Sequence, residues 1–278
     1  MQSRKYVFCG FSLELESEEC IHPEAEFSKF ISDFVEADCK IRVICTDNLP
    51  EESGELIFCS DRKKIYFDGN IKEYSAYFNS KLKKYVFFAC KVNNSELYID
   101  YPDDLREITI FESIDLPSIL LEKNIGIIHC SFVEYEGQAI LFVGDKQVGK
   151  STQASLWNEY MDAEIINGDR AAVYCEDGVF YAEGIPFCGT SKICINKKLP
   201  IKALVCLSKG SCNEIKKLSS MEAFMSIVGK FTYNSIKKSA EAVSSLAGNI
   251  ADNLPVYAYS CLKDESAVTF LKDELWKE

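Results

Sequence analysis

Residues 139–157 read AILFVGDKQVGKSTQASLW: an apolar run, Gly144, four variable residues, and then Gly149, Lys150 and Ser151. This order fits the pattern G-x-x-x-x-G-K-[ST] at every fixed position. The apolar residues before Gly144 predict a buried strand, and the residues after Lys150 predict an amphipathic helix. The stretch therefore predicts a strand–loop–helix unit of the P-loop (Walker A) kind, within an α/β fold.

The spacing of this loop suits the binding of phosphate. Glycines let the backbone N–H groups turn toward phosphate oxygens, and the helix adds its positive N-terminus. Lys150 is predicted to reach the β and γ oxygens of a nucleotide, and Ser151 to supply a hydroxyl to magnesium. The predicted nucleotide-binding residues are Gly144, Asp145, Lys146, Gln147, Val148, Gly149, Lys150, Ser151 and Thr152. The alternative interpretation is a glycine-rich turn with an exposed lysine.

Asp169, in AEIINGDRAAV, is the candidate for the carboxylate that holds a metal ion beside a bound nucleotide. It follows the apolar pair Ile165 and Ile166, as expected for a residue at the end of a strand. Its alternative interpretation is a turn aspartate after Asn167 and Gly168. Arg170 either steadies a phosphate or pairs with a surface acid, and the sequence leaves both open.

Two further residues have a functional and a structural interpretation. His129 lies in the apolar run before the strand that enters the loop, so it either ends near the phosphates or is a core histidine. Lys192 follows the turn-rich GIPFCGTS and is either a phosphate or substrate contact or a solvated lysine.

Composition excludes several classes of protein. The net charge is −12 over 278 residues, and no basic run interleaved with aromatic residues is present, which argues against nucleic acid and anionic membrane as partners. No apolar window reaches the length of a membrane helix, and the N-terminus is not a secretory signal, so we expect a cytoplasmic protein. The thirteen cysteines are spaced singly, which predicts buried thiols rather than disulfides or a zinc site.

The first part of the chain predicts a small β-rich α+β domain, residues 1–112. FSLELE at 11–16 alternates apolar and polar residues, and further strands are predicted at 41–45, 55–59, 64–69 and 83–92. EAEFSKFISDFVEA at 24–37 predicts a helix, because its apolar residues recur at helical spacing. The acidic stretch at 101–116 contains turn-forming residues and predicts the domain boundary.

The second part, residues 113–278, alternates strands with helices. Strands are predicted at NIGIIHCSFVEY, QAILFVG, EIIN and IKALVCL, and helices at STQASLWNEYM and in the long stretch from Ile236 to Leu254. PVYAYSC predicts a last strand, and ESAVTFLKDELWK a closing helix with Asp264 as its N-cap. A mixed sheet is the expected result.

Together, "IIHCSFVEYEGQAILFVGDKQVGKSTQASLW", "AEIINGDRAAVY", "EGIPFCGTSK" and "LPIKALVCLSKG" resemble the C-terminal kinase domain of the HPr kinase/phosphorylase family. The resemblance covers roughly residues 116–278 and implies a fold shared with the ATP-dependent phosphoenolpyruvate carboxykinases. It implies that Lys150 contacts the γ-phosphate and that Ser151 is a magnesium ligand. It also implies that His129 lies beside the reacting phosphate, and that Asp169 is the second of two adjacent aspartates.

The chain departs from that family at two points. Gly168 stands where the first aspartate, a candidate proton acceptor, is expected, and Lys146-Gln147 replaces the usual Ser-Gly. Three explanations follow: Asp169 serves both metal and proton, His129 takes the proton, or the ordinary reaction is lost.

The resemblance implies an ATP- and magnesium-dependent kinase, with Lys150, Asp169 and His129 as catalytic residues and Ser151 and Asp169 as metal ligands. The expected acceptor is a hydroxyl of a small metabolite such as a polyol, sugar, hydroxy acid or amino acid. The alternatives are a protein or peptide serine, and a nucleotide-binding module without turnover. A carboxykinase reaction is disfavoured because the chain is too short. Relatives in this family often form homo-oligomers, and we expect one here.

Overall fold

The computed structural model describes residues 1–33, 36–60, 63–67, 73–79, 84–90, 94–101, 105–233 and 236–277. The chain forms two compact units. The first comprises the described residues of Met1–Ile119 with Ile236, and the second comprises the described residues of Leu120–Tyr233 and Lys237–Glu278. The architecture is mixed α/β, as expected.

The described residues contain strands in both units. These are β1 (Gln2–Phe8), β2 (Phe11–Ser17), β3 (Cys39–Cys45), β4 (Glu55–Cys59), β5 (Lys63–Phe67), β6 (Glu73–Asn79), β7 (Lys84–Cys90), β8 (Asn94–Ile99), β9 (Gly126–Tyr135), β10 (Gln138–Val143), β11 (Glu164–Asn167), β12 (Arg170–Glu176), β13 (Val179–Glu183), β14 (Lys198–Lys209), β15 (Glu214–Lys217), β16 (Phe231–Thr232) and β17 (Val256–Cys261). The helices of the described residues are α1 (Ala25–Ser28), α2 (Glu107–Ser113), α3 (Leu116–Leu121), α4 (Lys150–Met161), α5 (Ser220–Ile227), α6 (Lys237–Asn253) and α7 (Glu265–Leu275).

The first unit is built on one sheet with the strand order β1-β2-β3-β8-β7-β6-β5-β4. β2, β3 and β8 are parallel to one another, and the remaining neighbours are antiparallel. The predicted strands at 11–16, 41–45 and 55–59 are confirmed. For the predictions at 64–69 and 83–92, residues 68–69, 83 and 91–92 lie outside the described residues. In β2, Phe11, Leu13 and Leu15 are buried in the core, as their alternation predicted.

The helix predicted at 24–37 is wrong for most of its length, and residues 34–35 lie outside the described part. The helical segment α1 covers only Ala25–Ser28. After it the chain pairs with β1: the N–H of Val7 donates to Phe30 O at 2.8 Å, and the N–H of Ser32 donates to Lys5 O at 3.1 Å. Phe27 in α1 and Phe30 after it are still buried, so two of the predicted apolar side chains reach the core although the chain leaves the helix after Ser28.

The second unit joins nine strands into a curved sheet among its described residues, in the order β10-β9-β12-β13-β14-β17-β15, with β11 and β16 paired to β9. β10 also pairs with β14, so the path from β10 through β9, β12, β13 and β14 closes on itself. β10, β14 and β17 run parallel. Their carboxyl ends therefore meet at one edge, where α/β sheets generally bind ligands.

Helices cover both faces of this part of the sheet. One cluster of buried side chains joins Leu141 and Val143 of β10 to apolar residues of α5 and α6. The other joins Ile140 and Phe142 of the same strand to α4 and α7, including Trp157. Successive strand residues point to opposite faces, so β10 packs against a core cluster on each side. The loop that follows therefore begins from a buried strand.

The thirteen cysteines all lie among the described residues, and no disulfide joins them. The expectation that most of them are buried is wrong, because the five buried ones are joined by four half-buried and four exposed cysteines. Among the residues that the structure describes, no helix is both long and apolar enough to cross a membrane.

Candidate functional site

The loop at 144–149 connects β10 to α4 at the sheet edge described above. Gly144 has a φ of +149°, and a Cβ there would lie 2.9 Å from Val148 Cγ1 and 3.2 Å from Leu207 O. Gly149 has a φ of +121° and is the residue before the helix. Both positions therefore need glycine, the first also for space and the second for its backbone conformation alone. The two fixed glycines of the sequence pattern thus have a local physical reason.

Lys150 folds back over this loop. Its Nζ donates to the carbonyl oxygens of Gly144 at 3.0 Å and Asp145 at 3.1 Å. The side chain is buried, and this burial lowers the pKa of Lys150. An ammonium carries three N–H donors, so the two loop carbonyls leave capacity for an anion. The alternative of an exposed lysine on a glycine-rich turn does not describe this side chain.

Asp145 pairs with a lysine from a distant part of the chain. Nζ of Lys230 lies 2.5 Å from Asp145 Oδ1, although the two residues are 85 positions apart. The ammonium lowers the pKa of Asp145. The sequence offered no signal for Lys230, because the pairing depends on tertiary structure.

His129 and Asp169 are brought together by two antiparallel strands. Arg170 at the start of β12 pairs with His129 in β9, and the N–H of Cys130 donates to Asp169 O at 3.0 Å. His129 Nδ1 lies 3.5 Å from Asp169 Oδ1, and Arg170 Nε lies 3.2 Å from Asp169 Oδ2. Burial, and then the charge of Lys150, lower the pKa of His129. Arg170 thus pairs with Asp169 next to it.

Asn167 fixes the turn that presents Asp169. Its Oδ1 accepts from the backbone N–H groups of Asp169 and Arg170, each at 3.0 Å, and its Nδ2 donates to Ile185 O at 2.9 Å. The side chain is fully buried. Asparagine side chains commonly accept hydrogen bonds from the backbone two residues on, so the sequence Asn-Gly-Asp did contain a signal for this role.

Gly168 is packed against Ser191. A Cβ at residue 168 would lie 2.3 Å from Ser191 Oγ and 2.6 Å from its Cβ, closer than atoms can approach. Ser191 is itself held in place, since its Oγ donates to Cys188 O at 2.6 Å and accepts from the N–H of Ile193 at 3.2 Å. An aspartate side chain therefore does not fit at residue 168 unless Ser191 moves.

These elements surround one open cleft with a volume of about 750 Å³, within the range of ligand pockets in proteins. It brings together ten of the residues that the sequence predicted for the site: His129, Gly144, Asp145, Lys146, Gln147, Gly149, Lys150, Ser151, Thr152 and Asp169. Gly168, which the sequence analysis named as the position of the missing aspartate, also lines the cleft. Seven further lining residues were not singled out from the sequence: Gly189, Thr190, Gly229, Lys230, Phe231, Thr232 and Lys263.

Two predicted candidates lie elsewhere. Val148 does not line the large cleft. It packs against the apolar cluster beside α4 and lines a smaller neighbouring pocket of about 290 Å³. Lys192 is exposed and is not among the residues that line the cleft.

The donors available for a metal ion are few. Among the residues that the structure describes, no group of three or more His, Cys, Asp or Glu side chains is arranged to hold a metal. Ser151 and Asp169 both line the cleft and offer one hydroxyl and one carboxylate. Mg²⁺ commonly uses one or two protein ligands and takes the rest from phosphates and water, so this donor set fits magnesium bound together with a nucleotide.

Comparison with known proteins gives little beyond this geometry. No protein-family model and no curated protein matches the sequence. Among solved structures, the chain is similar to the Hpr(Ser) kinase/phosphatase from Coxiella burnetii, at 10% sequence identity and a TM-score of 0.30. That match covers 54% of this chain and 92% of the other. A likeness at this level carries no argument about function, so the proposals below depend on the residues of the cleft.

Proposed function

We propose that this chain is an ATP- and magnesium-dependent kinase that transfers the γ-phosphoryl group to a hydroxyl. The main support is Lys150, whose buried ammonium lies on the carbonyls of Gly144 and Asp145 at the N-terminus of α4. This combination of a loop with two required glycines, a helix start and a folded-back lysine suits a chain of phosphates.

The binding step is assigned to the loop. Its backbone N–H groups and the N-terminus of α4 hold phosphate oxygens, and Lys150 neutralises their charge. Ser151 and Asp169 are the residues that would hold magnesium, which supplies positive charge to the phosphates when bound. Phosphoryl transfer depends mostly on such positioning and charge stabilisation.

The chemical step is assigned to His129 and Asp169. The acceptor oxygen forms a bond to the γ-phosphorus as the bond from that phosphorus to the β–γ bridging oxygen breaks, and ADP leaves with the electron pair. The hydroxyl proton passes to His129, whose imidazole Nδ1 lies 3.5 Å from Asp169 Oδ1. The packing of Gly168 on Ser191 supports this choice over a second aspartate.

The acceptor class that we propose first is a small hydroxylated metabolite, and a protein or peptide serine is the second candidate. The test is phosphate transfer from labelled ATP with magnesium into separate pools of polyols, sugars, hydroxy acids, amino acids and serine- or threonine-containing peptides. Wild type is compared with Lys150→Ala and Asp169→Asn. Lys198→Gln is the matched control, because Lys198 pairs with Glu176 on β12 and is not among the residues that line the cleft.

A labelled product that is lost in both site variants and kept in the control supports the kinase and identifies its acceptor class. A wild-type protein that binds ATP yet labels no pool supports a nucleotide-binding module instead. A protein that does not bind ATP contradicts both.

A further inference from the structure

The loop at 144–149 pairs with a second cationic side chain, Lys230, which has no role in the reaction proposed above. Lys230 Nζ lies 2.5 Å from Asp145 Oδ1, and both residues line the large cleft. The two partners differ in their surroundings: the side chain of Lys230 is 26% exposed and that of Asp145 is 86% exposed. The lysine is thus largely enclosed, whereas the carboxylate extends into solvent.

Lys230 is held by ordered backbone on both sides. It ends the 3-10 turn Val228–Lys230 that follows α5, and Phe231 immediately after it pairs with Ile128 in β9. His129 is the residue after Ile128, so Lys230 and His129 lie at the same end of this short pairing. The backbone thus positions Lys230 toward the part of the cleft that contains the proposed base.

Lys230 and Lys150 place two positive charges in one cleft. Both ammonium groups contact Asp145, since Lys150 Nζ donates to its carbonyl oxygen at 3.1 Å and Lys230 Nζ lies 2.5 Å from its Oδ1. Two like charges in one cleft raise the energy of the empty protein, and a polyanion relieves the repulsion between them. Among the described residues, Lys230 forms its ion pair with the exposed Asp145.

An exposed carboxylate binds a lysine side chain only weakly. Ion pairs of this kind stabilise only weakly, because water screens them. A triphosphate offers several charged oxygens in the same cleft and so competes well with one carboxylate. Exchange of Lys230 from Asp145 to a phosphate therefore costs little.

We propose that Lys230 is a second phosphate-binding lysine. It pairs with Asp145 in the empty site and pairs instead with the polyphosphate chain when the nucleotide binds. This inference rests on the proposed function and adds a positioning role to it. Asp145 then competes with the nucleotide for Lys230. Its carboxylate therefore lowers the affinity of the site for the nucleotide.

The test is a double-mutant cycle on the full chain, with inorganic tripolyphosphate and ATP as probes in calorimetric titrations, each with and without magnesium. Lys230→Gln is expected to weaken both probes roughly tenfold or more, the usual effect of losing a charged hydrogen bond. Asp145→Asn is expected to tighten binding about threefold. In the double variant, Asp145→Asn is expected not to change the affinity of Lys230→Gln for either probe, because the lysine for which the carboxylate competed has been removed.

Two controls separate this role from a general loss of structure. Lys230→Arg retains the charge and is expected to keep most of the affinity. The pair Lys198→Gln and Glu176→Gln removes another ion pair, whose residues are not among those lining the cleft, and is expected to leave binding unchanged.

Wild-type affinity in Lys230→Gln overturns the inference, and so does weaker binding in Asp145→Asn, which would mean that the carboxylate itself holds the ligand or its metal. If Lys150→Ala abolishes binding while Lys230→Gln does not affect it, only this inference fails. If the wild type binds neither probe, the inference fails together with the proposed function.

Discussion

His129 Nδ1, on β9, lies 3.5 Å from Asp169 Oδ1, in the turn that leads into the antiparallel strand β12. The other carboxylate oxygen of Asp169 faces Arg170 Nε at 3.2 Å. The carboxylate is therefore shared between a group that can accept a proton and a permanent cation. This arrangement places one carboxylate between an imidazole and a guanidinium at the edge of the cleft.

Replacing His129 tests the identity of the proton acceptor. For His129→Gln we expect kcat to fall by about 10² or more, with KM for ATP nearly unchanged, because general-base catalysis acts in the transition state. Steady-state kinetics on the acceptor found in the labelling experiment measure this. If His129→Gln keeps full kcat while Asp169→Asn loses it, Asp169 takes the proton directly.

Placing an aspartate at residue 168 is expected to lower the stability of the protein. Gly168→Asp puts a Cβ against Ser191 and should cost about 1–3 kcal/mol of stability without raising activity. The backbone at Gly168 has no positive φ, so the obstacle is the serine side chain. The variant Gly168→Asp with Ser191→Gly should recover part of the loss in urea unfolding, and equal stability of both variants would contradict this explanation.

Asn167 is expected to support the site through Asp169. Asn167→Ala removes three hydrogen bonds from a buried side chain, which should cost about 1–3 kcal/mol and lower kcat more than it raises KM. Asn158→Ala is the matched control, because Asn158 also bonds a backbone carbonyl but is not among the residues that line the cleft. A loss of stability with unchanged kcat would restrict Asn167 to a structural role.

The cap of α5 predicts a pH-dependent stability. Hydrogen bonds to Lys216 and Ser219 lower the pKa of Glu222 from 4.5 to about 2. The ionised carboxylate therefore stabilises the fold at pH values above about 4.5, and this contribution is lost as the pH falls toward about 2.

Glu222→Gln should accordingly lower the Tm at pH 7 and match wild type near pH 2. Trp fluorescence reports this, since both tryptophans, Trp157 and Trp276, belong to the second unit. A difference in Tm that is the same at both pH values would contradict the assignment.

A buried carboxylate is expected to stabilise the first unit. Glu107 accepts from Arg4 at 2.6 Å, from the hydroxyl of Tyr6 at 2.5 Å and from the N–H of Glu24 at 2.6 Å. Glu107→Gln leaves the guanidinium without its counter-ion and should cost about 3 kcal/mol. Because no tryptophan lies in this unit, hydrogen exchange of the β1 amides is the measurement, and the exposed Glu18→Gln should change little.

The regular elements could largely be predicted from sequence because their apolar residues recur with a clear period. The strand β10 and the helix α4 appear where the pattern around residues 139–157 predicted them, and Asp264 caps α7 by accepting from the N–H of Ser266. The prediction of a helix at 24–37 was wrong because of a contact distant in sequence. The backbone of Phe30 and Ser32 pairs with β1, and this pairing outweighed the local helix preference.

The sequence by itself determined the loop, because the backbone conformations at Gly144 and Gly149 and the reach of Lys150 are local properties of consecutive residues. The tertiary structure alone decided that Lys230 pairs with Asp145, that Asn167 braces Asp169 through Ile185, and that Ser191 fills the space beside Gly168. Those contacts join segments that are distant along the chain. Their energies depend on how strands and turns pack, which no local pattern of residues records.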